Sequence, residues 1–437
     1  MGDIDWAKYV DVLGDRSLAR EVGRLTRVTA GLLEGVGPDV SLGEVCRVWD
    51  KAGKRFYWAE AVGFRDDRIV MAPLGHVEGL GPGSFWMDGI GPVSVPVGDA
   101  LLGRVVDARG APLDGGRPLA LKERRPLRTA PPDPMSRRRI AEPLATGVRA
   151  IDGLMTCGKG QRLGLFAGSG VGKSSLLGMI ARGTQADVNV ISLVGERGRE
   201  VREFIEKDLG PEGLARSVVV VATSDQPPMA RLHAALGATA VAEYFAEQGR
   251  DVLLMMDSVT RLAMAGREIG LALGEPPTTK GYTPSVFSFL PRLLERAGNF
   301  SRGSVTGIYT VLVEADDMDD PVADTLRSIL DGHVVLSRRM ATQNHYPAVD
   351  VLESLSRLMV DVTEAPHRRA AGILREVLAA HREAEDLLRV GAYARGSDAK
   401  IDFALAHLEK VKAFLKQDMN EKSDFPTTRA KLGALFA

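Results

Sequence analysis

The chain is 437 residues long, 45% hydrophobic and 26% charged, the balance of a globular protein of several domains rather than a disordered or fibrous one. Its 56 basic and 57 acidic residues leave a net charge of −1, so the chain as a whole offers no basic field for nucleic acid. Two widely spaced cysteines, Cys46 and Cys157, argue against a disulfide framework or a zinc site and fit a reducing cytoplasm. The first residues lack the basic and apolar regions of a secretory signal, and no apolar run reaches membrane-spanning length.

Residues 1–19 carry Trp6, Tyr9, Val10 and Leu13 at helical spacing, one apolar stripe. Such a stripe either packs on its own domain or docks a partner protein. From 20 to 95, short β-rich runs around Val28, Val48, Trp58 and Val70 alternate with Gly and Pro, the texture of a small β-barrel. Trp49, Trp58 and Trp86 offer faces on which bases stack, but no basic groove accompanies them, which favours core or interface roles. Residues 96–150 read as a linker and entry segment, rich in Pro and Arg, with Arg137–Arg139 in a solvated loop.

From 151 apolar strands alternate with amphipathic helices, the pattern of a mainly parallel α/β sheet. Strands are expected at 161–166, 188–194, 217–222, 251–256, 304–312 and 333–336. Helices are expected at 174–182, 199–208, 229–248 and 322–330. The part from 361 to 437 reads as a helical domain, with long runs at 368–388 and 400–416.

The chemistry concentrates on Leu163-Gly-Leu-Phe-Ala-Gly-Ser-Gly-Val-Gly-Lys173-Ser174, a buried strand, a glycine-rich turn and a helix start. This is a phosphate-binding P-loop: Ala167, Gly168, Ser169, Gly170, Val171, Gly172, Lys173, Ser174 and Ser175 form its cradle. Lys173 is placed to reach the β/γ-phosphates of a nucleotide and Ser174 to hold Mg²⁺. Ala167 stands where the strict pattern has Gly, before the tight part of the loop. Asp257 ends the apolar run Asp251-Val-Leu-Leu-Met-Met-Asp257 and supplies the second metal-side acid. Glu196, at another strand end, suits the carboxylate that orients an attacking water. The alternative for Glu196 is a surface ion pair with Arg197 or Arg199.

Glu196-Arg-Gly-Arg-Glu-Val, with this P-loop and Asp257, resembles the catalytic domain of rotary ATPase subunits. Pro347-Ala-Val-Asp350-Val-Leu-Glu-Ser354-Leu-Ser356-Arg357 is similar to the signature of the ATP synthase α/β subunits. Thr156-Cys-Gly-Lys-Gly-Gln-Arg, Gly274-Glu-Pro-Pro-Thr-Thr-Lys-Gly-Tyr282 and His345-Tyr-Pro narrow the resemblance to the protein-export ATPases of flagella and type III secretion systems. The stretches at 384–398 and 414–417 look more like the flagellar branch; a virulence-type injectisome ATPase is the alternative, with an ATP synthase subunit or an RNA translocase further off.

The resemblance implies a RecA-like P-loop core between a small N-terminal β-barrel and a C-terminal helical domain. It implies a cytoplasmic homo-hexamer, peripheral to a membrane export apparatus, that hydrolyses ATP with Mg²⁺ to energise protein export. Arg357 matches the arginine finger supplied to a neighbour's site; the competing reading pairs it with Asp350 or Glu353. Tyr346 matches the residue that stacks on adenine, Phe425 is a candidate for the other side of that pocket, and Arg197 for a bridge between Glu196 and the γ-phosphate. The implied partners are a stator-like regulator at the N-terminal stripe, chaperone–cargo complexes at the C-terminal helices, an export gate and a central stalk protein; nucleic acid is not expected. The loop 274–282, with Thr278, Thr279 and Lys280, either meets cargo or the stalk or is a plain surface loop.

Overall fold

The computed structural model describes residues 21–29, 31–87, 89, 91–313, 317 and 319–436. The expected docking helix with Trp6, Tyr9, Val10 and Leu13 lies outside them. The chain forms two compact units: the first takes the residues up to Val93 together with Pro227–Ala230, the second Ser94–Gln226 and the residues from Arg231 on.

In the first unit, β1 (Val22–Thr29), β2 (Leu32–Val36), β3 (Val45–Trp49), β4 (Phe56–Arg65), β5 (Arg68–Pro73) and β6 (Phe85–Met87) close into a barrel in the order β1-β2-β5-β4-β3-β6. Closure removes the free edges that a small open sheet would expose. Trp86 fills the interior and is fully buried, with Leu25, Leu33, Val48 and Met71 around it. The chain makes room for the indole with glycine: a Cβ on Gly23 would lie 2.2 Å from the ring. Trp49 is stacked on Phe85 at 6.0 Å and tilted against Phe56, which in turn meets Trp58 edge-on. The tryptophans are thus packed among barrel residues, as the lack of a basic groove suggested.

The second unit is built on a sheet of nine strands among the described residues. After β7 (Ser94–Pro96) come β8 (Arg104–Asp107) and β9 (Arg124–Pro126), which pairs with β7. Then follow β10 (Arg162–Ala167), β11 (Val188–Val194), β12 (Ser217–Ala222), β13 (Asp251–Asp257), β14 (Gly298–Asn299), β15 (Ser304–Leu312), β16 (Gly332–Leu336) and β17 (Val349–Ser356). The sheet order is β17-β16-β10-β15-β13-β11-β12-β8, with β14 paired to β15. β8 and β10 to β13, with β15 and β16, run parallel; β14 and β17 are antiparallel. The central strands are buried along almost their whole length, which is why they read as runs dominated by Val, Ile, Leu and Met.

Two parts differ from the sequence reading. The segment 96–150 was expected to be linker and coil, yet its β8 is the edge strand beside β12. The helix expected at 199–208 is an α-helix only over Gly198–Glu203 and continues as a π-helix over Phe204–Leu209. There the backbone presses on the P-loop helix: a Cβ on Gly178 would meet the Asp208 carbonyl at 2.5 Å.

The C-terminal helices Ala365–Arg389, Ala399–Leu415 and Phe425–Ala434 bury Leu374, Val377, Val411, Phe414 and Leu432. These side chains belong to the same core cluster as Leu165 and Ala167 of β10 and Leu176 and Ile180 of the P-loop helix. Among the described residues no helix is long and apolar enough to cross a membrane.

Candidate functional site

The site grows from the end of β10. Ala167 is the last residue of the strand and is 1% exposed. It pairs with both Leu312 and Leu336, and its methyl sits in the core. Extended, buried backbone is why alanine serves where the strict pattern has glycine. The chain then turns through Gly170 (φ 78°) and Gly172 (φ 93°), left-handed conformations that favour glycine. Gly172 caps the helix Lys173–Gly183, and no side chain satisfies that end. The first helical N–H groups are therefore free to bind an anion.

Lys173 leaves this helix and reaches two carboxylates from other strand ends. Its Nζ contacts Asp257 Oδ1 at the end of β13 and lies 3.4 Å from Glu196 Oε1, just beyond β11. Burial disfavours the ammonium, but Asp257 and Glu196 outweigh it and hold the Lys173 pKa above its ordinary value. Asp257, 4% exposed, also accepts a hydrogen bond from Thr310 Oγ1 at 2.7 Å. Glu196 feels burial first, then Lys173 against it and Asp257 with it; the result is a carboxyl pKa above the usual range. A carboxylate held in this way is a better proton acceptor near neutral pH.

Gly195 turns the chain at φ 71°, and a Cβ there would meet the Arg261 side chain at 2.9 Å. Arg261 also lowers the Glu196 pKa through its charge, and its Nε is buried without a hydrogen-bond partner. Thr310 and Arg261 were not singled out in the sequence. The second of two Thr in a mostly apolar strand, and an Arg four residues after Asp257, were the signals available.

Arg197 does not bridge toward Glu196. It is 72% exposed and pairs with Glu200 at 3.2 Å, while Arg199 pairs with Glu203 at 2.8 Å. The start of the helix Gly198–Glu203 turns these side chains outward, so the surface ion-pair alternative for Glu196 also falls away.

Beside the loop is a cavity of about 620 Å³, lined by Gly172, Met179, Tyr346, Pro347 and the segment Lys416 to Met419 among others. The Tyr346 ring faces Gly172, whose Cβ position is 3.6 Å from it. Phe425, expected to close this pocket, does not line it: its ring is 5.9 Å from His367, at the start of the last helix. The wall it was meant to form is made instead by the strap 416–419. Ser174 is exposed at the helix start. Ser175 lines the cavity and also hydrogen-bonds Asp208.

Arg357 follows β17 and is exposed. Asp350 and Glu353, its alternative partners, are both taken by Arg382, at 2.8 and 3.0 Å. The Arg357 side chain has no hydrogen-bond or ion-pair partner among the described residues.

Among the described residues no group of three or more His, Cys, Asp or Glu converges in the way a protein-only metal site requires. Ser174 and Asp257 do fit Mg²⁺, which takes few protein oxygens and completes its octahedron with phosphate and water.

Comparison with known proteins places this geometry. Residues 147–356 match the ATP synthase alpha/beta family nucleotide-binding domain, and residues 363–434 match the T3SS EscN ATPase C-terminal domain. The chain is 52% identical to the flagellum-specific ATP synthase of Bacillus subtilis, over 95% of each chain. It is also 52% identical to the type 3 secretion system ATPase of Xanthomonas euvesicatoria, over 95% of this chain and 94% of that protein. The assembled ATPase EscN of the enteropathogenic E. coli type III secretion system superposes with a TM-score of 0.89 at 44% identity, covering 95% of this chain and 100% of that one. Flagellar and injectisome relatives match at the same level, so the expected preference for the flagellar branch has no counterpart in these likenesses.

Proposed function

Because the chain belongs to the ATP synthase α/β nucleotide-binding family, in its branch of flagellar and type III secretion ATPases, we propose how its residues divide the work of ATP hydrolysis. Lys173 and the amides of 168–175 hold the phosphates. Ser174 and Asp257 would hold Mg²⁺, whose charge would offset that developing on the phosphates. Thr310 fixes the Asp257 carboxylate for that role. Glu196 accepts a proton from the attacking water, helped by the burial that raises its pKa. Tyr346 carries the base over the cavity beside Gly172.

Arg357 serves a neighbouring subunit. Its backbone N–H donates to the Asp331 carbonyl, and Asp331 in turn flanks Arg162, the first residue of β10. The P-loop follows the other end of that strand, about 16 Å away at ~3.3 Å per residue. An arginine side chain does not span that distance, so a phosphate met by Arg357 belongs to another copy. Supplied in trans, such an arginine accelerates phosphoryl transfer by ~10³–10⁵.

The assembly this requires is a ring, in this reading a homo-hexamer. EscN is described as assembled and in complex with its central stalk EscO. A stalk protein in the ring centre, export cargo delivered by chaperones at the C-terminal helices, and a regulator at the N-terminal stripe complete the reading, with the ring peripheral to a membrane export apparatus. The observation that carries it is the convergence of Lys173, Glu196 and Asp257 at three strand ends of one sheet. The test is Mg²⁺-dependent ATP turnover by the full chain, abolished by chelation and by Lys173→Ala; turnover that survives either refutes the assignment.

A further inference from the structure

The wall of the 620 Å³ cavity opposite Tyr346 is a strap, Lys416 to Met419, that follows the helix Ala399–Leu415. It lies some 240 residues from the P-loop in sequence, and its start is held by one buried guanidinium. Arg149, in the short helix Arg149–Leu154, is 4% exposed. Its Nε donates to the Phe414 carbonyl at 2.8 Å, and its terminal nitrogens meet the Lys416 carbonyl and the Glu421 carboxylate.

The backbone of the same residue holds the strap from another side. Arg149 N–H donates to Gln417 Oε1 at 2.8 Å, and Gln417 Nε2 donates to the Gly147 carbonyl at 2.8 Å and the Glu421 carbonyl at 3.0 Å. A turn at Asp418 brings Glu421 back to the guanidinium: the Asp418 carboxylate accepts from Asn420 N–H at 2.9 Å. The far side of the strap is held by Arg182, which donates to the Met419 carbonyl at 2.6 Å. Gln417 N–H then donates to the Tyr346 carbonyl at 3.0 Å. One chain of hydrogen bonds thus runs from Arg149 through Gln417 to the residue that faces the P-loop.

We propose that Arg149 is a positioning residue for nucleotide binding: it anchors the 416–419 strap against Tyr346 and so sets the width of the slot that receives the base. Arginine suits the task because its planar fork serves several fixed acceptors at once, which the single ammonium of lysine does not. The proposal rests on the reading of this cavity as the base site. The guanidinium touches neither phosphate nor metal ligands, so its loss acts on the base end of ATP and spares the triphosphate end.

The test is steady-state hydrolysis by the full chain, with KM and kcat for MgATP and competitive inhibition by inorganic tripolyphosphate, which has no base. Arg149→Lys and Gln417→Ala raise KM roughly ten-fold, the scale of one or two lost hydrogen bonds, with the change in KM rather than kcat. The inhibition constant of tripolyphosphate stays where it was. Tyr346→Ala is run alongside. If it raises KM while both strap variants leave KM unchanged, the positioning role is overturned and the base site stands. If Tyr346→Ala leaves KM unchanged, the base-site reading falls and the proposal with it. Equal weakening of ATP and tripolyphosphate marks a general loss of structure and also overturns the role. Should Arg149→Lys not fold, Glu421→Gln, which removes the carboxylate the guanidinium pairs with, takes its place with the same expected rise in KM and the same overturning result.

Discussion

Arg357 and Lys173 stand at opposite ends of one sheet. Lys173 follows the last residues of β10, while the Arg357 N–H is bonded at 3.0 Å to Asp331, which in turn donates at 2.9 Å to Arg162, where that strand begins. Lys173 belongs to the site of its own chain, but Arg357 has no role at that site from where it stands. Lys173 is already turned inward to Asp257 and Glu196, and Arg357 is exposed with Asp350 and Glu353 engaged elsewhere.

Glu196→Gln keeps the shape of the side chain and removes its basicity. ATP binding, read with a fluorescent nucleotide, is expected to persist while kcat falls about 10²–10⁴-fold, the usual contribution of a positioned base. Near-normal turnover would assign the water to another group.

The raised Glu196 pKa also has a direction in the pH profile. Glu196 accepts a proton only as carboxylate, so activity is lost as pH falls through its pKa. Because burial moves that pKa upward, the acid limb of kcat/KM is expected above the ordinary carboxylate range of ~4.3. A limb at or below that range would contradict the electrostatics described for the site.

Much of this arrangement is legible in the chain. The strands that carry Lys173, Glu196 and Asp257 are central and parallel, so burial on both faces writes them as continuous β-branched or aliphatic runs. β8 and β17 escape that signal. β8 is four residues at a sheet edge among Gly and Pro, and β17 is bulged and carries Asp350, Glu353, Ser354 and Ser356 among its apolar residues. Their places depend on long-range pairing with β12 and β16.

The same limit explains the site residues that were missed or misplaced. Thr310 reaches Asp257 because β13 and β15 are neighbours in a particular register, which no local pattern announces. Arg261 approaches Glu196 because Gly195 leaves room for the Arg261 side chain against the turn. Phe425 had the right chemistry for a base pocket, but the last helix turns it to His367, and the strap before that helix takes the place.

Asp152 makes the core of the second unit sensitive to pH. It is fully buried, and burial pushes its pKa up to about 6 despite hydrogen bonds from Thr146 N–H and Oγ1 at 2.8 and 2.7 Å and from Gly147 N–H at 2.9 Å. A carboxyl whose folded pKa is raised contributes stability that is complete below its unfolded pKa of ~3.9 and lost as pH rises through about 6. Asp152→Asn, which turns an amide donor toward the Gly147 N–H, is expected to be destabilised. Its deficit against wild type should shrink between pH 4 and pH 6 by up to about 3 kcal/mol. Chemical denaturation across that range measures it; a deficit that grows with pH would reverse the assignment.

The barrel is expected to depend on one side chain. Trp86 is fully buried, and the glycines around it leave nothing that refills its space. Trp86→Ala should cost about 3–5 kcal/mol of barrel stability, read as early loss of protection in hydrogen exchange over 21–87. Unchanged protection there would mean that the indole is not the core.

The central claim is that a working site is shared between two copies of the chain, and mixed assemblies test it most directly. Lys173→Ala and Arg357→Ala proteins, carrying different tags, are each expected to be inactive alone. Co-expressed and purified through both tags, they should regain ATP turnover, because the intact Lys173 of one variant can meet the intact Arg357 of the other. Mixed assemblies that hold both variants and remain as inactive as either alone would contradict a shared site.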